Sequence, residues 1–447
     1  IYSTDALTAA QATSYNATMQ PATNKGENDI LSAEEAAAYN AKLSGAVSTS
    51  DTRNVAKTGR VFGCNNLNGT PKGKVLVQIN RTVRKDGGAH VDDEFEILAV
   101  YGGGNAANYE PQMYDHQTEF GQHTRVVING CTDVSIEKVY GGGNAASVPF
   151  TDVLIEGAFQ IGYVFGGGNG GDRLYYNDSW HENLGANVTY YANVLTRGGT
   201  IGQIFGGSDT RGSVGGAETS QEKGGTCPLN IVNWYGAGNG EEATSLGDIT
   251  VNVSGCGAQS SIKKVFGGSY KANIKGSITL NITSGVFTSV YGGNDRMGSV
   301  GGNITVNIEE TEDCSPIIIQ NLFGGCYETP YPGASASRYI GPVDPDDEAK
   351  ANPANYTPFT RGKVSVNVKA ATRIDRVYGG SYKASLNGDT EVNINMTKGS
   401  RAGKTFELPE GYRGNPIPNI NGVPVYGEVT GLTYQALPDE EGSSVDG

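Results

Sequence analysis

Ile136-Glu137-Lys138-Val139-Tyr140-Gly141-Gly142-Gly143-Asn144 returns 25 residues later as Ile161-Gly162-Tyr163-Val164-Phe165-Gly166-Gly167-Gly168-Asn169. Ten copies of this [V/I/L]-[F/Y]-G-G signature start at Val61, Val100, Val139, Val164, Ile204, Trp234, Val265, Val290, Leu322 and Val377, with Cys64 and Ala237 in place of the last glycine and Trp234 in place of the aliphatic residue. Self-similarity of this kind marks a repeat architecture, in which each unit buries its apolar face only against its neighbours. A spacing of 25 residues suits one three-sided coil of strands, and the longer spacings add loops to the same unit.

The repeat spells its own packing. Its second residue is aromatic in all ten copies, from Phe62 and Tyr101 to Phe323 and Tyr378, which predicts a continuous ladder of offset-stacked rings. The third is always glycine, read as a positive φ or a corner too crowded for a Cβ. Three residues before the signature stand Ile97, Ile136, Ile161, Ile201, Ile231, Ile262, Phe287, Ile319 and Ile374. An apolar step of three cannot stay on one face of a straight strand, so a bend falls between. Five residues after the signature start come Asn66, Asn105, Asn144, Asn169, Asp209, Asn239, Tyr270, Asp295, Tyr327 and Tyr382. These read as a corner whose amides hydrogen-bond from copy to copy. Upstream strands such as Ile249-Thr250-Val251-Asn252-Val253 alternate, with aliphatics inward and Thr and Asn outward. The expected fold is therefore all-β: a right-handed parallel β-helix, or solenoid, of about ten coils with a short N-terminal α-helical cap.

Composition agrees with many short strands and tight corners: 66 glycines, 24 tyrosines, four methionines and 18% charged residues. The net charge of −14 repels phosphate backbones and argues against nucleic acid. The sequence has no apolar run long enough for a membrane span. Cys131, Cys256 and Cys314 lie eight or nine residues before signatures on copies that are not neighbours. At about 4.8 Å per stacked strand, copies two apart exceed disulfide reach, so buried free thiols are expected.

Three regions follow. Residues 1–58 are Ala-rich and contain an echo, Leu7-Thr8-Ala9 to Tyr15-Asn16-Ala17 against Leu31-Ser32-Ala33 to Tyr39-Asn40-Ala41, which predicts two short helices, Ser32 and Glu35 forming a capping box. Residues 59–398 hold the repeats, with insertions near 105–123, 169–190, 208–228 and 327–361. Residues 399–447, rich in Pro and Gly, read as a C-terminal cap or linker.

Because the insertions leave the repeat near one corner, their aromatics are the candidate ligand-binding residues: Tyr109, Tyr114, Tyr175, Tyr176, Trp180, His181, Tyr327 and Tyr331. Exposed rings suit the apolar face of a sugar, and loops on a rigid scaffold commonly carry function. The four histidines and six cysteines form no zinc pattern, so neither a metal nor a cofactor is expected.

The V-[F/Y]-G-G-G-N copies between Val61 and Met396 resemble the pectate-lyase-like superfamily of parallel β-helices. Together with the N-terminal helices they also resemble repeat-bearing surface proteins of gut anaerobic bacteria. The first resemblance implies polysaccharide lyases and glycosidases, yet the Asn-Thr-Asp, Gly-His-Gly and Arg-Ile-Lys motifs of polygalacturonase-type members are absent. No complete catalytic motif is found, and no catalytic residue is assigned. The expected function is a non-catalytic extracellular or cell-surface module, adhesin-like or glycan-binding, whose partner is a glycan or surface macromolecule. The alternative is a polysaccharide lyase or glycoside hydrolase acting on an acidic polysaccharide, with acids such as Asp172, Asp178 and Glu182.

Overall fold

The computed structural model describes residues 6–19, 24–36, 38–39, 58–82, 94–111, 123–182, 184–222, 227–254, 261–311, 314, 316–327, 362–386 and 388–395, with short strand pieces at 338–339, 405–407, 417–418, 424–425 and 431–433. The chain divides into two compact units, residues 1–55 with 83–89, and residues 56–82 with 90–447.

In the first unit the sequence echo packs on itself. The helix Ala9–Thr18 starts at a capping box of Thr8 and Gln11, and Ser32 and Glu35 form the second box as expected. Equivalent residues of the two halves meet in one buried cluster: Leu7 with Leu31, Ala12 with Ala36, Tyr15 with Tyr39.

The second unit is built of β-strands. In chain order they are β1 (Thr58–Phe62), β2 (Val75–Ile79), β3 (Ile97–Tyr101), β4 (His123–Tyr140), β5 (Val148–Phe165), β6 (Leu174–Tyr176), β7 (Ser179–His181), β8 (Val188–Thr196), β9 (Gly199–Phe205), β10 (Ala217–Gln221), β11 (Leu229–Tyr235), β12 (Ile249–Ser254), β13 (Ser261–Phe266) and β14 (Ile278–Tyr291). Further on come β15 (Ser299–Val300), β16 (Ile304–Glu309), β17 (Ile317–Phe323), β18 (Arg338–Tyr339), β19 (Gly362–Ala370), β20 (Arg373–Ile374), β21 (Val377–Tyr378), β22 (Ser385–Leu386) and β23 (Gly388–Ile394).

Eight of them close a ring of parallel pairings. It runs β5–β8–β10–β12–β14 on one side and returns β14–β13–β11–β9–β5 on the other. The ring closes because β5 and β14 run through the bend and pair on both sides. Residues 148–155 of β5 pair with β8, and residues 161–165 pair with β9. Outside the ring, β1 to β4 pair on from β5, and β16, β17, β19, β20, β21 and β23 pair on from β14. The right-handed β-helix, an open solenoid of separate coils, is therefore corrected to a closed eight-strand parallel ring with extra strands outside it. The all-β, parallel character stands. The repeat pattern placed a bend between the apolar residue three before the signature and the signature itself, whereas β5 changes partner earlier, between Ile155 and Ile161, and β14 between Ser284 and Ser289.

Register follows the signature. Val139 pairs with Val164 and Tyr140 with Phe165, and these in turn face Ile204 and Phe205. The first signature residue and the alternating aliphatics fill one buried cluster. The aromatic residues form a second, with neighbouring rings stacked 4.6–5.1 Å apart. The signature glycines are explained by crowding. None has a positive φ, but a Cβ on Gly141, Gly206 or Gly267 would run into the carbonyl oxygen of the next copy's glycine.

The cysteines differ from expectation. Cys131 and Cys227 form a disulfide with Cα atoms 5.7 Å apart, and Cys314 is also disulfide-bonded. Only Cys64 and Cys326 are free among the described residues. Strand spacing bounds distances only where the ladder is regular, and β4 leaves register with β5 between Ile128 and Asn129 and between Gly130 and Ser135. Gly157 provides the passage, since a Cβ there would meet both sulfurs at 2.6 Å.

Candidate functional site

The position five residues beyond each signature start divides the molecule. In its first part the side chains are amides or a carboxylate, and they link up. Asn105 Nδ2 donates to Asn66 Oδ1 at 2.8 Å, Asn144 Nδ2 to Asn105 Oδ1 at 2.8 Å, and Asn169 Nδ2 to Asn144 Oδ1 at 2.7 Å. Asp209 continues the row as a buried carboxylate that accepts from Tyr140 Oη at 2.7 Å, Asn239 Nδ2 at 2.8 Å and Lys138 Nζ at 3.2 Å. Burial, reinforced by Asp209, pushes the Tyr140 phenol far above its ordinary pKa, so it stays a donor.

From Tyr270 onward the same position carries Tyr270, Asp295, Tyr327 and Tyr382, and the three tyrosines form a second tier over the ladder. Tyr270 stands edge-on to Tyr235 at 5.8 Å and 70°. Tyr327 tilts against Tyr291 at 5.0 Å and 60°. Tyr382 stands edge-on to Phe323 at 5.5 Å and 78°, and it stacks on Tyr327 at 5.1 Å and 16°. Between them lies Asp295, only 6% exposed, whose Oδ2 accepts from Tyr235 Oη at 2.9 Å. Arg296 Nε lies 3.6 Å from Asp295 Oδ1. Tyr163, Asn239, Lys264, Tyr270, Arg296 and Tyr327 are among the residues lining a cavity of about 360 Å³ here.

Four of the eight sequence candidates meet on another element, the antiparallel hairpin β6–β7. Asn177 and Asp178 both have positive φ, 49° and 57°, which suits a two-residue hairpin turn. Tyr175 and Trp180 pair at 5.2 Å on one face, and both are more than half exposed. Arg173 lies 4.2 Å above the Trp180 ring and is ion-paired with Glu182 at 3.1 Å. On the other face Tyr176 and His181 stack at 3.8 Å.

Of the remaining four, Tyr327 lies in the cavity. Tyr109 is buried and its hydroxyl donates to the Gly73 carbonyl at 2.7 Å, a structural role. Tyr114 and Tyr331 lie outside the described residues. The acids named for an enzyme do not converge on one ligand: Asp172 pairs with Arg60 at 2.7 Å, Glu182 with Arg173, and Asp178 sits in the hairpin turn. Among the described residues no group of three or more His, Cys, Asp or Glu could hold a metal ion, and no helix is long and apolar enough to cross a membrane.

Sequence reasoning missed Tyr163, Lys264, Tyr270, Asp295, Arg296 and Tyr382 as site residues. A signal was available for Tyr270 and Tyr382, because they break a row of Asn and Asp. Lys264 and Arg296 carry no periodic mark. The chain matches no family model, no curated protein and no solved structure. None of these comparisons identifies a pectate-lyase-like family, and no feature of the described residues supports an adhesin.

Proposed function

We propose that this chain is a non-catalytic binding module of the extracellular space or cell surface, and that the Tyr270–Tyr327–Tyr382 tier receives the ring face of a glycan. The observation that carries this reading is the appearance of tyrosine at three of the last four copies of a position that carries Asn or Asp in the first six. An aromatic face with a few convergent polar groups is the usual make-up of a small-ligand site. Gln203, Asn233 and Asn239 line the same cavity and suit sugar hydroxyls. The disulfide between Cys131 and Cys227 supports an oxidising compartment.

The test is a glycan array probed with the chain, with a Tyr327→Ala/Tyr382→Ala variant and with a Tyr175→Ala/Trp180→Ala variant. The expected result is a bound glycan that the first variant loses and the second keeps. An array with no binder would overturn the reading, and loss in the hairpin variant instead would move the site to β6–β7.

An enzyme reading, a polysaccharide lyase or glycoside hydrolase, has one observation in its favour: the buried Asp295 carboxylate lines the cavity together with Lys264 and Arg296. New reducing or unsaturated ends from an acidic polysaccharide, abolished by Asp295→Asn, would establish it.

A further inference from the structure

We infer that Asn68-Gly69, in the loop between β1 and β2, is a modification site. Of the Asn-Gly pairs in the described residues it is the one that deamidates in the folded chain, and the hydrogen bonds of the repeat protect the others. The chemistry is intramolecular and needs only water. The Gly69 amide nitrogen attacks the carbonyl carbon of the Asn68 side chain. A C–N bond forms to close a cyclic imide, and the bond from that carbon to the side-chain nitrogen breaks. Ammonia leaves, taking the proton from Gly69 N. Water then adds to one of the two imide carbonyls, and the ring opens to aspartate or isoaspartate. Glycine favours the first step because no side chain crowds the attacking nitrogen. A pair whose N–H and side-chain amide are both hydrogen-bonded reacts only from a locally opened form.

The described residues hold four such pairs: Asn68-Gly69, Asn129-Gly130, Asn169-Gly170 and Asn239-Gly240. Two belong to the amide row. Gly170 N donates to the Asn144 carbonyl at 2.7 Å, while Asn169 Nδ2 donates to Asn144 Oδ1 at 2.7 Å. Gly240 N donates to the Asp209 carbonyl at 2.6 Å, while Asn239 Nδ2 donates to Asp209 Oδ1 at 2.8 Å. In both pairs the preceding copy holds the nucleophile and the leaving group at once. Asn129 and Gly130 lie within β4, paired with Gly157 and Ala158 of β5, so their backbone is held in a strand.

Asn68-Gly69 differs on each count. Asn68 is exposed, and its side-chain amide makes no hydrogen bond among the described residues; only its backbone carbonyl is engaged, accepting from Asn65 Nδ2 at 2.8 Å. Gly69 N donates no backbone hydrogen bond there. The φ of 73° at Gly69 lies in the region that glycine enters freely. Just beyond the pair, Thr70 Oγ1 accepts from Glu110 N at 2.7 Å, so the loop stays anchored after the reaction.

The experiment ages the whole chain in mildly alkaline buffer, with and without a denaturing concentration of urea. Each Asn-Gly peptide is followed by mass spectrometry, and isoaspartate is counted by enzymatic methylation. In the folded chain Asn68 should convert at least about tenfold faster than Asn129, Asn169 or Asn239, each of which must open first. In urea the four rates should converge. Asn68→Gln should remove the fast event and leave the other three slow. Any of the three converting as fast as Asn68 in the folded chain overturns the inference, as does an Asn68 that stays intact until urea is added. A rate order that persists unchanged in urea overturns it too, because neighbouring side chains and not the folded hydrogen bonds would then set the rates.

Discussion

The row from Asn66 to Asn239 and the row from Tyr270 to Tyr382 occupy one backbone position over one aromatic ladder, yet they present different surfaces. In the first row the short side chains bond to their neighbours in the row, and Asn144 and Asp209 also accept from the Tyr101 and Tyr140 hydroxyls of the ladder beneath. In the second a longer ring cannot join that ladder, so it leans edge-on against the rings beneath and leaves space beside it. The scaffold is shared, and side-chain length and polarity decide whether the face is sealed or open.

The harshest way to break this comparison is to remove the Cys131–Cys227 bond, which lies wholly in the first part and closes a separation of 96 residues. Replacing both cysteines by serine should cost about 4 kcal/mol. Hydrogen exchange should show lost protection in β4 to β11 and retained protection in β16 and β19. Equal loss throughout would mean that the two parts unfold as one.

A gentler pair of substitutions sharpens the contrast. Asn144→Ala should cost about 2 kcal/mol, because it strands Asn105, Asn169 and Tyr101, all of which bond to that buried side chain. Tyr327→Ala should cost only about 1 kcal/mol, being half-buried, and should abolish glycan binding that Asn144→Ala leaves intact. Urea unfolding and binding measured on the same samples would check both, and a reversed order would refute the division between sealed and open rows.

The smallest effect is a pH slope. Burial pushes the Tyr291 phenol up to about 12, while an unfolded tyrosine ionises near 10. Below about pH 10 both states keep the proton and the stability is fully present. As pH rises from about 10 to 12 the unfolded chain loses protons first, so stability falls by about 1.4 kcal/mol per pH unit for this phenol. Tyr291→Phe should flatten the alkaline fall of the urea midpoint by that one group. An unchanged slope would show that Tyr291 ionises freely in the folded chain.

Much of this was legible along the chain. The stacked rings from Phe62 to Tyr378 and the amide links from Asn66 to Asn169 follow from residues that recur at fixed positions, since copies in register must place like against like. The N-terminal helices were legible in the apolar spacing of the echo and, for the second, in the Ser32 and Glu35 capping box, while the Thr8 and Gln11 box of the first was found only in the structure. Of the site, Tyr327 and the β6–β7 aromatics could be named, because insertions rich in Tyr and Trp stand out from a regular background. Lys264 and Arg296 could not be named, as single charges on a polar corner look like any solvated surface residue.

The sequence by itself determined an all-β, parallel, repeating chain with its aromatic and amide ladders, because these are nearest-neighbour relations that periodicity spells out. Only the tertiary structure decided the closed ring, the Cys131–Cys227 bond and the cavity beside Tyr327. Each of these joins residues from different copies across bends and bulges, and the distance between them depends on how far a strand keeps its register before it turns.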